Sequence, residues 1–310
     1  MLKTMNRRDF TKLGLASAAA LALGTTETTA AKDEFRLNYI VASCMYGKFD
    51  LATILNEVPK TGAEYVEFWA SPHGNQREQL DKLGVDKVVS LLKNHKVKLG
   101  SFTCFKYGVF GMQPEMKLVK QLGGDMVICN SGGPRGLKGD DQKRAIEAFA
   151  KKLKPHVEAA ADIGVKVGIE NHSGSLINMP DTQFRLLDAL KSDNVGIALA
   201  PYHLPQDEKL IAKLLRDLGS EKLVHFQAWQ HGMGCSKKLP KEQELLQLPG
   251  RGDLDFTPLV KALKDIKYVG RTEIFMHPVP RGIPILETAD MVTAEINKSR
   301  KYLEDCLKKA

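Results

Sequence analysis

The chain has 310 residues, 43% of them apolar and 26% charged, and its 45 Lys and Arg against 37 Asp and Glu give a formal charge of +8. That length suits one large α/β domain with a full core. The basic excess is spread along helix-like segments, which argues for a solvated surface and against nucleic acid as a partner, and the five cysteines (Cys44, Cys104, Cys129, Cys235, Cys306) form neither a disulfide framework nor a CxxC metal knot.

The first element in chain order is a leader. Residues 1–30 combine a basic start, a short apolar stretch from Leu13 to Gly24 and small residues up to Ala30, the layout of an export signal. The apolar stretch is too short to span a bilayer, so no stable membrane anchor is expected. Within it, NRRDFTK resembles a twin-arginine signal, with Arg7 and Arg8 paired, then Phe10 and Lys12. Asn6 and Thr11 depart from the Ser or Thr and the Leu common at those positions. The resemblance implies the twin-arginine export machinery as a partner and a periplasmic destination. Removing residues 1–30 lowers the formal charge from +8 to +6.

From residue 35 onward, strand-like runs alternate with helix-period segments. The runs are 37–43, 65–70, 97–103, 125–130, 165–171, 194–200, 222–227 and 272–277. Between and after them lie helix candidates at 50–61, 77–94, 112–122, 140–163, 181–191, 207–218, 256–266 and 287–308. Eight such units without a long linker predict an α/β fold, a single-domain (β/α)₈ TIM barrel over residues 35–308. An open doubly wound sheet is the alternative, but CMYGKFD after the first strand is not a Gly-rich phosphate turn.

In such a barrel catalytic groups come from the C-terminal strand ends, and side chains alternate between the two faces. The run GVKVGIENH ends an apolar strand in a carboxylate, an amide and an imidazole. If Val165, Val167 and Ile169 face the helices, Gly168 and Glu170 face in. The same parity turns Val224 and Phe226 outward and His225, Gln227 and Trp229 inward, and it places Glu273, Phe275 and His277 inside. Glu170, Gln227 and His277 are thus expected at one mouth, with His203 leaning over it and His225 one layer deeper.

The order GVKVGIENH, VGIALAPYHL, LVHFQAWQ, PGRGDLDF, KALKDIKYVG and IFMHP resembles the xylose isomerase-like TIM barrels, the sugar-phosphate isomerase/epimerase superfamily. The resemblance covers most of residues 36–305. It implies one divalent cation (Mn, Mg, Co or Zn) held by a Glu, Asp, His and Glu at the ends of strands 5 to 8. Glu170 matches the first of these. Ala200 stands where the Asp belongs, in Ala200-Pro201-Tyr202-His203, Gln227 stands for the His, and His277 for the last Glu. The implied metal set is therefore Glu170, Gln227, His277 and His203, with Glu170 and His277 as catalytic groups.

Candidate substrate-binding residues are Trp69, His73, Asn130, His172, His203, Trp229, His231 and Arg281, since aromatic faces at a barrel mouth suit sugar rings and the others sit on βα loops. The resemblance implies an isomerase or epimerase that abstracts a proton from a small carbohydrate or keto-sugar. A lyase acting on 3-keto-glycosides and a non-catalytic sugar-binding protein are the alternatives. The family's zinc endonucleases are excluded, because Cys104, Ala200, Gln227 and Trp229 leave too few metal ligands.

Overall fold

The computed structural model describes residues 35–310, so the expected leader lies outside the described residues. Eight parallel strands close into a barrel in sequence order: β1 (Asn38–Ala42), β2 (Tyr65–Trp69), β3 (Lys98–Thr103), β4 (Met126–Asn130), β5 (Lys166–Glu170), β6 (Val195–Leu199), β7 (Leu223–Ala228) and β8 (Arg271–Ile274). Closure is made by β1 on β8, with Ile40 opposite Glu273, and it excludes the open sheet.

The helices are α1 (Leu51–Glu57), α2 (Gln76–Leu83), α3 (Val85–Asn94), α4 (Gln113–Gln121), α5 (Gly139–Ile163), α6 (Pro180–Leu190), α7 (Glu208–Lys222), α8 (Lys241–Glu244), α9 (Thr257–Asp265) and α10 (Ala289–Lys309). The segment expected as one helix over 77–94 is two, because Gly84 adopts φ +81° between them. The short α8 carries no periodicity long enough to announce it. The main core lies between the strands' outer faces and the helices, where Val167, Ile169, Ile197 and Phe226 meet Leu153, Leu186, Leu215 and Leu259.

Two irregularities change which side chains face inward. Between β6 and β7, Ile197 pairs with Leu223 but Ala198 pairs with His225, so Val224 is an extra residue. Strict alternation turned Val224 outward. Instead it packs with Met126, Ile128 and Ala198 in a small cluster inside the barrel, directly below the inward His225. A second shift, between β2 and β3, makes Gly100 the extra residue and sets Ser101 beside Glu67. β8 also ends at Ile274, so Phe275, Met276 and His277 follow the strand and do not belong to it.

At the N-terminal end the barrel is stoppered by Arg271, whose guanidinium forks onto Asp125 at 2.6 and 2.7 Å and lies over the Tyr65 ring. A cavity of about 510 Å³ opens there, lined by Asn38, Tyr65, Lys166, Asn194 and Ser220 among others. It is at the opposite end from the residues singled out by sequence, and catalytic groups in this architecture belong to the C-terminal face.

Candidate active site

Glu170 is the last residue of β5 and is 2% exposed. Its neighbours in register are Asn130 on β4 and Ala198 on β6. The next residue, Asn171, is a strap: its Oδ1 accepts the Ala200 N–H at 2.7 Å and its Nδ2 donates to the Ala200 carbonyl at 3.1 Å. That double bond fixes the turn after β6, a 3₁₀ turn over Pro201–His203, which carries His203 back over β5. His203 Nε2 then stands 3.3 Å from Glu170 Oε1. The His172 ring lies tilted at 4.2 Å from the His203 ring and accepts the Gly174 N–H on its Nδ1. The polar ending of GVKVGIENH thus divides into one free carboxylate and two groups that hold its surroundings.

An aromatic cup surrounds this carboxylate. Trp69 stacks on Phe275 at 5.3 Å, and Trp229 stacks on Tyr202 at 3.8 Å. His277 meets both indoles edge-on, at 5.5 and 5.3 Å, and lies 4.7 Å from His73. Both indole N–H groups point away into protein, Trp69 to Glu67 at 2.6 Å and Trp229 to Gln247 at 2.9 Å, so the rings are fixed by hydrogen bonds as well as packing.

The other expected contacts are more peripheral. Asn130 ends β4 beside Glu170, but its Oδ1 accepts the Gly132 N–H. Arg281, on the loop after β8, donates from Nη1 to the Pro278 carbonyl at 2.9 Å. His231, at φ +85°, packs against Gly234 on its own loop and makes no ring contact with the cup among the described residues.

Burial dominates the electrostatics. It pushes His277 well below the ordinary imidazole range and His73 down to about 4, in both cases aided by the Arg281 charge, and it lowers His172. For Glu170 burial works toward the neutral acid, yet His203 in contact, with His172 and His73 beyond, holds it below the usual carboxylate range.

Below the cup lies a group with two carboxylates, Glu67 and Glu273, that the sequence does not mark as site residues. Ligand atoms of Glu67, His225 and Glu273 all lie within 4.8 Å of one another, and each residue is fully buried. Glu67 accepts from Ser101 at 3.0 Å, Thr103 at 2.7 Å and the Trp69 indole. Glu273 accepts from Gln227 Nε2 at 3.0 Å and faces His225 Nε2 at 3.4 Å. Burial drives Glu67 well up, Glu273 up to about 7 and His225 down to about 4. The signal for Glu67 was available in YVEFW, where alternation with Val66 and Phe68 turns it inward, whereas its partners Ser101 and Thr103 reach it through the Gly100 bulge.

A divalent cation, which the family resemblance implies, can be tested against these donors. Glu170 Oε2, His203 Nε2 and Gln227 Oε1 are all buried and without hydrogen-bond partners, as is Glu273 Oε1 one layer down. Buried acceptors of this kind are normally paired, and carboxylate, imidazole and amide oxygen are all competent ligands. By chemistry these donors suit a cation, but the ligand atoms of Glu170, His203 and His277 do not all lie within 4.8 Å of one another. Ala200, with no donor atom, leaves the strand-6 position empty, and among the described residues the Glu67, His225 and Glu273 group is the only one of three or more His, Cys, Asp or Glu with such close ligand atoms.

A profile of the xylose isomerase-like TIM barrel matches residues 55–282. The chain belongs to the xylose isomerase-like TIM barrel family. One relative of this family member is the D-psicose 3-epimerase of Enterocloster bolteae, 26% identical over 133 residues, which is 43% of this chain and 39% of the relative. Among solved structures, the IOLI protein with a bound zinc atom superposes with a TM-score of 0.69 at 17% identity, covering 88% of this chain and 99% of that one. The D-psicose 3-epimerase of Clostridium cellulolyticum H10, solved with D-tagatose, gives 0.66 at 17% identity over 87% and 99%. Likeness at this identity establishes the fold that this family member shares with them; chemistry has to be argued from its own residues.

Proposed function

We propose that this chain is an enzyme of the isomerase or epimerase type acting on a small keto-sugar, and that Glu170 takes the proton from the carbon next to the carbonyl. The observation that carries this reading is the state of Glu170: a buried carboxylate at the C-terminal mouth, one oxygen beside His203 and the other without any partner, under a cup of aromatic rings. A free carboxylate in a closed site is a competent general base. The family relationship and the epimerase relatives support the same chemistry.

Glu170, Gln227, His203 and His277 would hold the divalent cation. When bound, such an ion polarises a carbonyl and acidifies the adjacent C–H. The chain's own residues do the rest. Trp69 and Trp229 orient the ring, Asn171 keeps His203 over Glu170, and His277 lies at the cup wall as the second acid–base group. We also place the enzyme in the periplasm, exported through Arg7 and Arg8.

The test follows hydrogen exchange at the sugar carbon in deuterated water by NMR, with D-psicose, D-tagatose and D-fructose. Glu170→Gln should lower exchange at least about 100-fold, in line with removal of a general base, with an unchanged circular dichroism spectrum. Exchange at the wild-type rate in the variant, or none in the wild type with metal supplied, would overturn the reading. Plasma mass spectrometry of protein purified without chelator should find a divalent metal, and less of it in Glu170→Gln.

A further inference from the structure

We propose that the mouth selects a sugar bearing a carboxylate, and that Arg281 receives that group. The inference rests on the sugar-processing role of the Glu170 site and adds its substrate class.

Four arginines among the described residues are not exposed: Arg77, Arg271, Arg281 and Arg300. Three of them have a carboxylate in contact, Glu115 at 2.5 Å, Asp125 at 2.6 Å and Glu304 at 3.0 Å. Arg281 has none among the described residues. Its hydrogen bond is from Nη1 to the Pro278 carbonyl at 2.9 Å, one of five N–H groups on a guanidinium. The acid whose charge reaches it, Glu244, is already engaged by Lys241 at 2.7 Å and by the Val279 N–H at 3.0 Å. Glu170 faces His203 at 3.3 Å and makes no ion pair with Arg281. A half-buried cation without a counter-charge is unfavourable unless a ligand supplies one.

The position of Arg281 says where that ligand lies. Its Nη1 is bonded to the carbonyl of Pro278, the residue after His277, and the adjacent Gly282 lies against the Pro72 carbonyl, next to His73, so the guanidinium sits beside the His73–His277 wall of the cup. Arg135, exposed and anchored to the Gly174 carbonyl at 2.9 Å, adds positive potential beside His172. With one carboxylate against two guanidinium groups, the entrance is cationic. A single planar fork matches a carboxylate bidentately, whereas a phosphate dianion calls for more donors than one half-buried guanidinium offers.

The chain holds two tryptophans, Trp69 and Trp229, and both line the cup, so intrinsic fluorescence reports binding there. The titrants are D-glucuronate, D-glucose and D-glucose 6-phosphate. Wild-type protein should bind glucuronate at least ten-fold more tightly than glucose, and Arg281→Gln should narrow that gap to less than three-fold. Equal affinity for the two sugars in the wild type, or a gap that survives Arg281→Gln, would overturn the inference while leaving the Glu170 chemistry standing. Tighter Arg281-dependent binding of the phosphate ester would overturn the choice of carboxylate. Failure of all three sugars to bind would remove the sugar-processing role and this inference together, unless hydrogen exchange shows the keto-sugars turning over, in which case only the inference falls.

Discussion

Glu67 concentrates two opposed effects on one side chain. Three donors, from Ser101, Thr103 and Trp69, favour its carboxylate form, while complete burial and the neighbouring Glu273 oppose it. Two carboxyls that close inside a barrel cannot both ionise, so burial prevails and the pair keeps a proton. The sign for stability follows from proton uptake. Above the ordinary value of 4.5 the unfolded chain has lost the Glu67 proton while the folded chain retains it, so folded stability falls as pH rises from about 4.5 toward the raised folded value. Glu67→Gln removes this slope. The stability of the variant minus that of the wild type, from urea titrations, should grow as pH rises above about 4.5, by up to about 1.4 kcal/mol per pH unit; a constant difference would show that Glu67 ionises normally. Glu170 was legible from the sequence because both parity and motif point to it. Glu67 was legible only as an inward residue, since its donors come from a strand offset by a bulge that no local pattern marks.

At the scale of the elements, the bulge in β7 depends on Gly196. A Cβ there would run into the Val224 side chain and come within 2.7 Å of the Lys222 carbonyl, a backbone atom that cannot rotate away. The extra residue on β7 and the missing side chain on β6 are therefore one device, which lets Val224 turn inward beneath His225. Gly196→Ala should destabilise the fold by about 1–3 kcal/mol through overpacking. Gly168→Ala, whose Cβ would meet Ile128 at 3.2 Å, should be milder. Thermal unfolding of both variants checks the order, and equal midpoints would refute it. Strand positions were legible because short β-branched runs between helical stretches have few other interpretations. The facing of Val224 was not, because it is set by contact between two strands that are separated by α7 in the chain. The end of β8 was not legible either: Phe275 and Met276 continue the apolar run, but the strand stops at Ile274, and Phe275 and His277 pack on Trp69.

For the whole molecule, the barrel exists only once its ends meet. β1 at Asn38–Ala42 is held between β2 and β8, and β8 begins at Arg271, so the sheet cannot close until nearly the whole chain is available. Long-range closure of this kind forms slowly and leaves open strand edges until it is complete. A buried polar interior adds a second feature, because Glu170, Gln227 and Glu273 carry unpartnered oxygens suited to a cation. Both are compatible with the export route proposed from the NRRDFTK resemblance, which accepts a chain already folded. Arg7→Lys combined with Arg8→Lys keeps the charge of the leader but removes the pair, so precursor should accumulate folded in the cytoplasm and the periplasmic fraction should fall at least ten-fold by immunoblot. The same chain given a leader for unfolded secretion should reach the periplasm with less metal than the native precursor delivers. Undiminished export of the double Lys variant would show that the paired arginines do not set the route.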